Sequence, residues 1–118
     1  MIDLSHVPYY NSEIKAIRLL NSKNIKHGWK KDFKKNKEPH EKWDLINGEG
    51  IKIEVKSMDS EQKFGFNSIS CNVPEQRNHI VLKLLFNRSV KGRLKKYKFV
   101  KFIKGKWINI TEEILCKK

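Results

Sequence analysis

The stretch that most constrains the fold runs from Lys42 to Ser57 and reads KWDLINGEGIKIEVKS. Apolar and polar side chains alternate from Ile51 to Ser57, which is the period of a strand with one buried face. Residues Trp43–Asn47 predict a preceding strand, and the GEG between the two segments predicts a tight turn. Strands joined by so short a connection pair antiparallel, so the stretch predicts a β-hairpin.

The length of the turn sets the register of this predicted hairpin. A three-residue loop pairs Asn47 with Ile51 and, three steps outward, brings Asp44 opposite Glu54. A register slipped by one residue would mix apolar and polar side chains on the same face. The sequence therefore predicts Asp44 and Glu54 as cross-strand neighbours on the polar face, with Lys56 one step along that face.

Two facing carboxylates destabilise a sheet unless a positive charge lies between them. Lys56 is one candidate for that charge. A divalent cation is another, because Mg²⁺ takes carboxylate oxygens and keeps water molecules for a substrate. A lysine beside such an ion can hold a scissile phosphate or lower the pKa of an attacking water. The pattern favours metal-dependent hydrolysis of phosphodiester bonds.

These residues carry a family resemblance. Asp44, nine intervening residues and then Glu54-Val55-Lys56 resemble the motif of the PD-(D/E)XK nuclease superfamily, with Trp43 in the place of the proline. Other acidic-x-Lys tripeptides occur in the chain, but only this one lies on an alternating strand that follows a strand with a carboxylate. The superfamily includes restriction endonucleases, Holliday-junction resolvases and repair nucleases.

The resemblance implies a fold, covering the chain from about Asn11 to Phe86. This fold is a restriction-endonuclease-like α/β (α+β) core, in which a mixed sheet flanked by helices begins helix, strand, strand, strand. It also implies a Mg²⁺-dependent endodeoxyribonuclease, with Mn²⁺ as a substitute ion, closest in organisation to small Holliday-junction-resolvase-like members.

The same resemblance assigns roles to individual residues. Asp44, Glu54 and the backbone carbonyl of Val55 would be metal ligands. Lys56 would position the nucleophilic water or stabilise charge in the transition state. In the resolvase-like branch a glutamate of the first helix joins the metal site, and Glu13 lies at the matching position. Glu13 can equally be a first-turn glutamate that favours the helix dipole.

The charge distribution predicts a polyanionic partner. The formal net charge is +13, and no Asp or Glu occurs from Gln76 to Thr111. A second basic cluster covers Lys26–Lys37, where Trp29 and Phe33 would either stack on bases or pack on the core. We take DNA as the partner, and the candidate nucleic-acid-binding residues are Lys30, Lys31, Lys34, Lys35, Lys37 and His40.

The remaining elements follow from periodicity and turn residues. A helix capped by Asn11 or Ser12 is predicted through Asn24, and a lysine-rich loop over residues 29–41. Further strands are predicted at residues 63–73 and 79–86, the latter central and buried. A hairpin about Gly105 and a terminal helix from Thr111 complete the chain.

The 118 residues predict a single domain spanning 1–118. The chain begins without a signal-peptide pattern and has no apolar run of membrane-spanning length, and its two cysteines do not form a disulfide framework. We therefore expect an intracellular, reducing, cytoplasmic setting and no membrane partner. Gly48 and Gly50 lack the lysine and helix of a phosphate loop, so no nucleotide cofactor is expected.

Several functions remain open at this level. A structure-selective or junction-resolving endonuclease is favoured, and a small restriction-like endonuclease is the runner-up. One domain offers one active site, so a double-strand or junction cut predicts a homodimer. A non-catalytic basic nucleic-acid-binding protein of nuclease fold is the alternative from another class, although Asp44, Glu54 and Lys56 are all present. A weaker alternative is a structural or regulatory protein of a virus or mobile element.

Overall fold

The structure, a computed structural model, describes residues 12–36, 43–68, 79–87, 89 and 93–116. Along these residues the chain forms α1 (Ser12–Leu20), β1 (Lys34–Lys35), β2 (Leu45–Ile46), β3 (Lys52–Met58), α2 (Glu61–Gly65), β4 (Ile80–Phe86), β5 (Leu94–Ile103), β6 (Lys106–Asn109) and α3 (Thr111–Cys116). None of the helices in these ranges is both long and apolar enough to cross a membrane.

The six strands form one mixed sheet in the order β1-β2-β3-β4-β5-β6. Every neighbouring pair is antiparallel except β3 and β4, which are parallel. A parallel pair needs a crossover connection, and α2 lies on it. The predicted class, an α+β fold with a mixed sheet flanked by helices, is confirmed at this level.

The two faces of the sheet differ in what covers them. One face packs with α1, α3 and the loop after α1 into a core of Ala16, Leu20, Ile25, Phe33, Leu45, Ile53, Leu82, Leu84, Phe86, Phe99, Ile110 and Ile114. The opposite face, here called the second face, carries the alternate residues of the same strands. Glu54 and Lys56 lie on it in β3, and Lys83 and Lys98 lie on it in β4 and β5.

Helix α1 ends earlier than its periodicity predicts. The helix starts at Ser12, stops at Leu20 and does not continue through Asn24, while Asn11 lies outside the described residues. Directly after the last turn, the side chain of Asn21 binds the backbone of Phe33, accepting from its N–H at 2.8 Å and donating to its carbonyl at 3.2 Å. This pair of bonds turns the chain towards β1.

Two short strands differ from their predicted bounds. Lys34–Lys35 lies in the predicted loop, yet it pairs with β2 through Lys34↔Ile46 and Lys35↔Leu45. The strand predicted at 43–47 is reduced to Leu45–Ile46. The described chain still begins helix, strand, strand, strand, but the first of these strands was predicted as loop because two exposed lysines carry no apolar alternation.

The strand predicted at residues 63–73 is wrong over its first part. Residues Glu61–Gly65 form α2, which is capped by Ser60, whose hydroxyl accepts from the N–H of Lys63 at 3.3 Å. Residues 69–73 lie outside the described ranges. Phe64 is buried on the second face, so the apolar residue that suggested a strand is a helix residue. A serine followed by an acidic residue is a helix start that outweighed the strand pattern.

The predicted hairpin about Gly105 is confirmed. Ile103 pairs with Lys106 across a two-residue turn, and both turn residues have positive φ, 49° at Lys104 and 80° at Gly105. Such turns match the twist of antiparallel strands.

Candidate active site

The register of the β2–β3 hairpin is the predicted one. Leu45 pairs with Ile53 and Ile46 pairs with Lys52. The turn between the strands is closed by Asn47, whose Oδ1 accepts from the N–H groups of Glu49 and Ile51 at 3.0 and 2.9 Å. The hairpin that carries the predicted carboxylates therefore has a fixed register.

Asp44 is held by the backbone of β3. Strand β2 is too short to pair with β3 beyond Ile53, so the N–H of Val55 lacks a strand partner on that edge. The carboxylate of Asp44 takes this position, with Oδ2 accepting from the N–H of Val55 at 2.8 Å. The backbone N–H of Asp44 donates to the carbonyl of Ile53 at 3.1 Å. These two bonds fix the carboxylate beside β3.

Glu54 is buried and shares a hydrogen bond with Asp44. Its side chain lies on the second face, and the residue is 6% exposed. Burial, the hydrogen bond to Asp44 and the negative charge of Asp44 raise the pKa of Glu54 from 4.5 to about 8. Lys56 acts in the opposite direction without cancelling the rise. A hydrogen bond between two carboxyl groups needs a proton, and the raised pKa of Glu54 favours that proton on Glu54.

Glu13 borders this pair from α1. It lies in the first turn of the helix, and α1 packs against β3. Its charge contributes to the raised pKa of Glu54, which places it within electrostatic range. Its Oε2 also lies 3.6 Å from Nζ of Lys35 on β1. The structure thus sets Asp44 beside Glu54 and brings the charges of Lys56 and Glu13 within electrostatic range of Glu54.

The predicted basic loop has two kinds of residues. Its described lysines are exposed, and Lys30 is paired with Asp32 at 3.7 Å. Its aromatic residues are packed instead of stacked on a free surface: Phe33 is 3% exposed, and Trp29 contacts the rings of His27, Phe33 and Phe99 at centroid distances of 4.7 to 6.3 Å. Lys37 and His40 lie outside the described residues. Of the two readings, packing on the core is the observed one for these aromatic residues.

The oxygen atoms around Glu54 form a small donor set for Mg²⁺. Among the described residues, no group of three or more His, Cys, Asp or Glu side chains is arranged to hold a metal ion. The candidate is smaller, two adjacent carboxyl groups and the carbonyl of Val55. Mg²⁺ commonly binds one or two carboxylates and retains several waters. Asp44 and Glu54 are adjacent carboxyl groups, and the negative charge of Asp44 adds to the effect of burial on Glu54. Two adjacent carboxyl groups and a carbonyl are oxygen donors of the kind that such an ion takes.

Comparison of the chain with protein-family models, with curated proteins and with solved structures gives no match. The assignment of a function to the candidate site therefore depends on the geometry of its residues alone.

A cavity of about 270 Å³ lies elsewhere on the sheet. It is found where β3 and β4 end and β5 begins, and its lining is Asp59, Glu61, Leu85, Phe86, Asn87, Ser89 and Lys95. It includes none of the predicted site residues. The carboxylate of Glu61 in its wall is paired with Lys95 and Lys96 at 2.5 and 3.1 Å, which neutralises the charge that could attract a cation.

Sequence reasoning missed a row of lysines on the second face. Lys56, Lys83 and Lys98 occupy matching positions on β3, β4 and β5, and the latter two are 2% and 8% exposed. The signal was a single lysine inside the apolar run HIVLKLLF, which was read as a uniformly buried strand. The role of this lysine, Lys83, could not be predicted, because α2, which lies over the row, was predicted as a strand.

Proposed function

We propose that the protein is a metal-dependent DNA endonuclease with a restriction-endonuclease-like core. The observation that carries the proposal is the hydrogen-bonded carboxyl pair of Asp44, just before β2, and Glu54 on β3. Burying acidic groups together costs stability. Perturbed carboxylates cluster at functional sites. Lys56 and Glu13 beside the pair supply the other parts that the superfamily pattern requires.

The ion would be held by Asp44, Glu54 and the carbonyl of Val55, while Glu13 acts on Glu54 through its charge and is paired with Lys35. When bound, Mg²⁺ would polarise the phosphate and lower the pKa of a coordinated water. Glu54 must lose its proton to serve as a ligand, so its buried position couples ion binding to pH. The bond from the N–H of Val55 orients the Asp44 carboxylate before any ion arrives.

Lys56 has the role of an electrostatic positioning group. It lies on the second face two residues after Glu54, and its charge acts on that carboxyl group. An ammonium beside the carboxyl pair can hold a phosphate oxygen or the attacking water and stabilise charge that develops in the transition state.

The substrate proposal rests on charge and size. The net charge of +13 and the exposed lysines of β1 and the preceding loop favour contact with DNA phosphates. The excess of lysine favours backbone contacts over base reading, which suits a structure-selective or junction-resolving enzyme. One site per chain would make two cuts only as a homodimer.

Incubation with supercoiled plasmid tests the activity. We expect nicking or linearisation with Mg²⁺ or Mn²⁺, none with EDTA, and none by Glu54→Ala. The matched control is Glu112→Gln, which removes an exposed carboxylate from the first turn of α3 and should cut at the wild-type rate. DNA binding without cleavage under every metal condition would reject the nuclease and favour the non-catalytic nucleic-acid-binding alternative.

A further inference from the structure

Lys83 is a buried lysine that uses all its donors on one backbone segment. The residue is 2% exposed in the middle of β4. Its ammonium donates to the carbonyls of Lys63 and Ser68, at 3.2 and 3.1 Å, and to that of Phe66. An ammonium has three N–H donors, so these bonds satisfy it fully. Lys83 is therefore committed to holding the chain at the end of α2.

A second lysine ties down the same segment. Nζ of Lys98 donates to Oδ1 of Asn67 at 3.1 Å. The ammonium groups of Lys96 and Lys98 also lie 5.3 and 5.1 Å from the ring centre of Phe64. Burying lysines is costly unless their charge is well compensated. The hydrogen bonds from Lys83 and Lys98 offset part of this cost and fix residues 63–68 across the second face.

Phe66 is exposed although its backbone is firmly held. Its side chain is 57% exposed, the largest value among the exposed large apolar residues of the described chain. A mobile surface loop could expose a phenylalanine without consequence, but here its own carbonyl is bound by Lys83. A fixed and exposed aromatic ring is suited to contact a flat partner.

The position of Phe66 relates it to the candidate active site. Lys83, which binds it, pairs with Lys56 across β3 and β4, and neighbouring strands lie about 4.8 Å apart. Lys56 and Glu54 follow each other on the same face of β3. The tied segment therefore crosses the second face over β4 and β5, one strand away from Glu54 and Lys56 on β3. Lys63 on α2 adds an exposed positive charge.

We propose that Phe66 is a stacking platform for an unpaired base of DNA whose backbone enters the candidate active site. The inference rests on the proposed function and names its substrate class, DNA with unpaired bases near the cut. Aromatic rings beside basic groups bind bases in single strands without sequence preference. In fully paired duplex the bases are stacked on each other, so the platform would favour branched, frayed or single-stranded DNA.

Binding of two oligonucleotides in EDTA tests the inference without requiring cleavage. The probes are a labelled single-stranded oligothymidine and a labelled, fully paired, blunt-ended duplex, measured by fluorescence anisotropy with the full chain. Phe66→Ala should weaken single-strand binding by roughly five-fold or more, the range for loss of one stacked base, and leave duplex binding unchanged. Phe66→Trp should retain single-strand binding.

The control is Ile108→Ala, which removes an exposed apolar side chain of similar exposure, 40%, from β6. It should bind both probes as the wild type does. Wild-type single-strand affinity in Phe66→Ala, or an equal loss on both probes, would overturn the platform while leaving DNA binding intact. Failure of the wild type to bind either probe would overturn the proposed function and the platform together, so the two failures are distinguishable.

Discussion

Asp44 and Glu54 share a hydrogen bond between two carboxyl groups, one anchored to the backbone of β3 and the other buried in it. Two carboxyl groups can share a bond only while one of them keeps a proton. Under the proposed function, proton binding and Mg²⁺ binding would compete at this pair.

The stability of the metal-free protein should fall as the pH rises. Glu54 has a pKa of about 8 in the folded chain and about 4.5 as its ordinary value. Folding therefore takes up a proton between these pH values, so the free energy of unfolding decreases across that window. Urea unfolding in EDTA at pH 5 and pH 8 measures the decrease. In Glu54→Gln the decrease should be smaller by at least about 1 kcal/mol, since one pKa unit corresponds to about 1.4 kcal/mol. Identical pH profiles for the two proteins would show that Glu54 does not take up a proton on folding.

Neutralising Asp44 should separate binding from cleavage. In Asp44→Asn the shape is kept while a ligand and a negative charge are lost, so cleavage should disappear while DNA affinity stays equal or increases. Anisotropy in EDTA and plasmid cleavage in Mg²⁺ give the two readouts. Glu112→Gln on α3 is the control for removing a carboxylate far from the site. Wild-type cleavage by Asp44→Asn would contradict the proposed ligand set.

Removing the Lys56 ammonium should slow the cleavage step far more than it lowers the stability of the fold. Lys56→Met is expected to fold and to bind DNA and Mn²⁺, but to cleave about 10²-fold or more slowly, as for other single electrostatic contributors to a transition state. Single-turnover cleavage at saturating protein measures the chemical step. If the variant is unstable but regains both fold and full rate with Mg²⁺, Lys56 is a structural counter-ion.

Lys83 should matter for stability and for the position of α2. Lys83→Met leaves three carbonyls without their donor, at about 1–3 kcal/mol for each buried group that stays unsatisfied. Urea unfolding should show a loss within or above that range. Lys106→Met, on exposed β6, should change stability by less than about 0.5 kcal/mol. Equal stability of the two variants would show that Lys83 does not hold the segment.

DNA binding should depend strongly on salt through the lysines near β1. Lys34 is exposed on the edge strand next to β2, whereas Lys106 is exposed on β6 at the other edge of the sheet. Lys34→Ala should reduce the slope of log affinity against log salt by about one phosphate contact. Lys106→Ala should leave that slope unchanged if the DNA lies near Asp44 and Glu54. A larger effect at Lys106 would place the DNA on the opposite edge.

The sequence by itself determined the hairpin and its register. Strict alternation over Ile51–Ser57 and a three-residue turn leave one pairing that separates apolar from polar side chains, and Leu45↔Ile53 is that pairing. The composition also indicated a folded, strongly basic chain. These properties are local, because they depend on residues that are near one another along the chain or on their total charge.

The tertiary structure decided what the local pattern could not. Lys34–Lys35 becomes a strand only because β2 is there to pair with it. At Glu61–Gly65, burial of Phe64 against the second face adds to the local cap at Ser60. The sequence marked Glu54 as a site candidate and did not mark Lys83, and only neighbouring elements show that both are buried. Desolvation raises the pKa of Glu54 and lowers that of Lys83 to about 8. Burial depends on residues far apart in sequence, so only the assembled sheet shows which ionisable groups are desolvated.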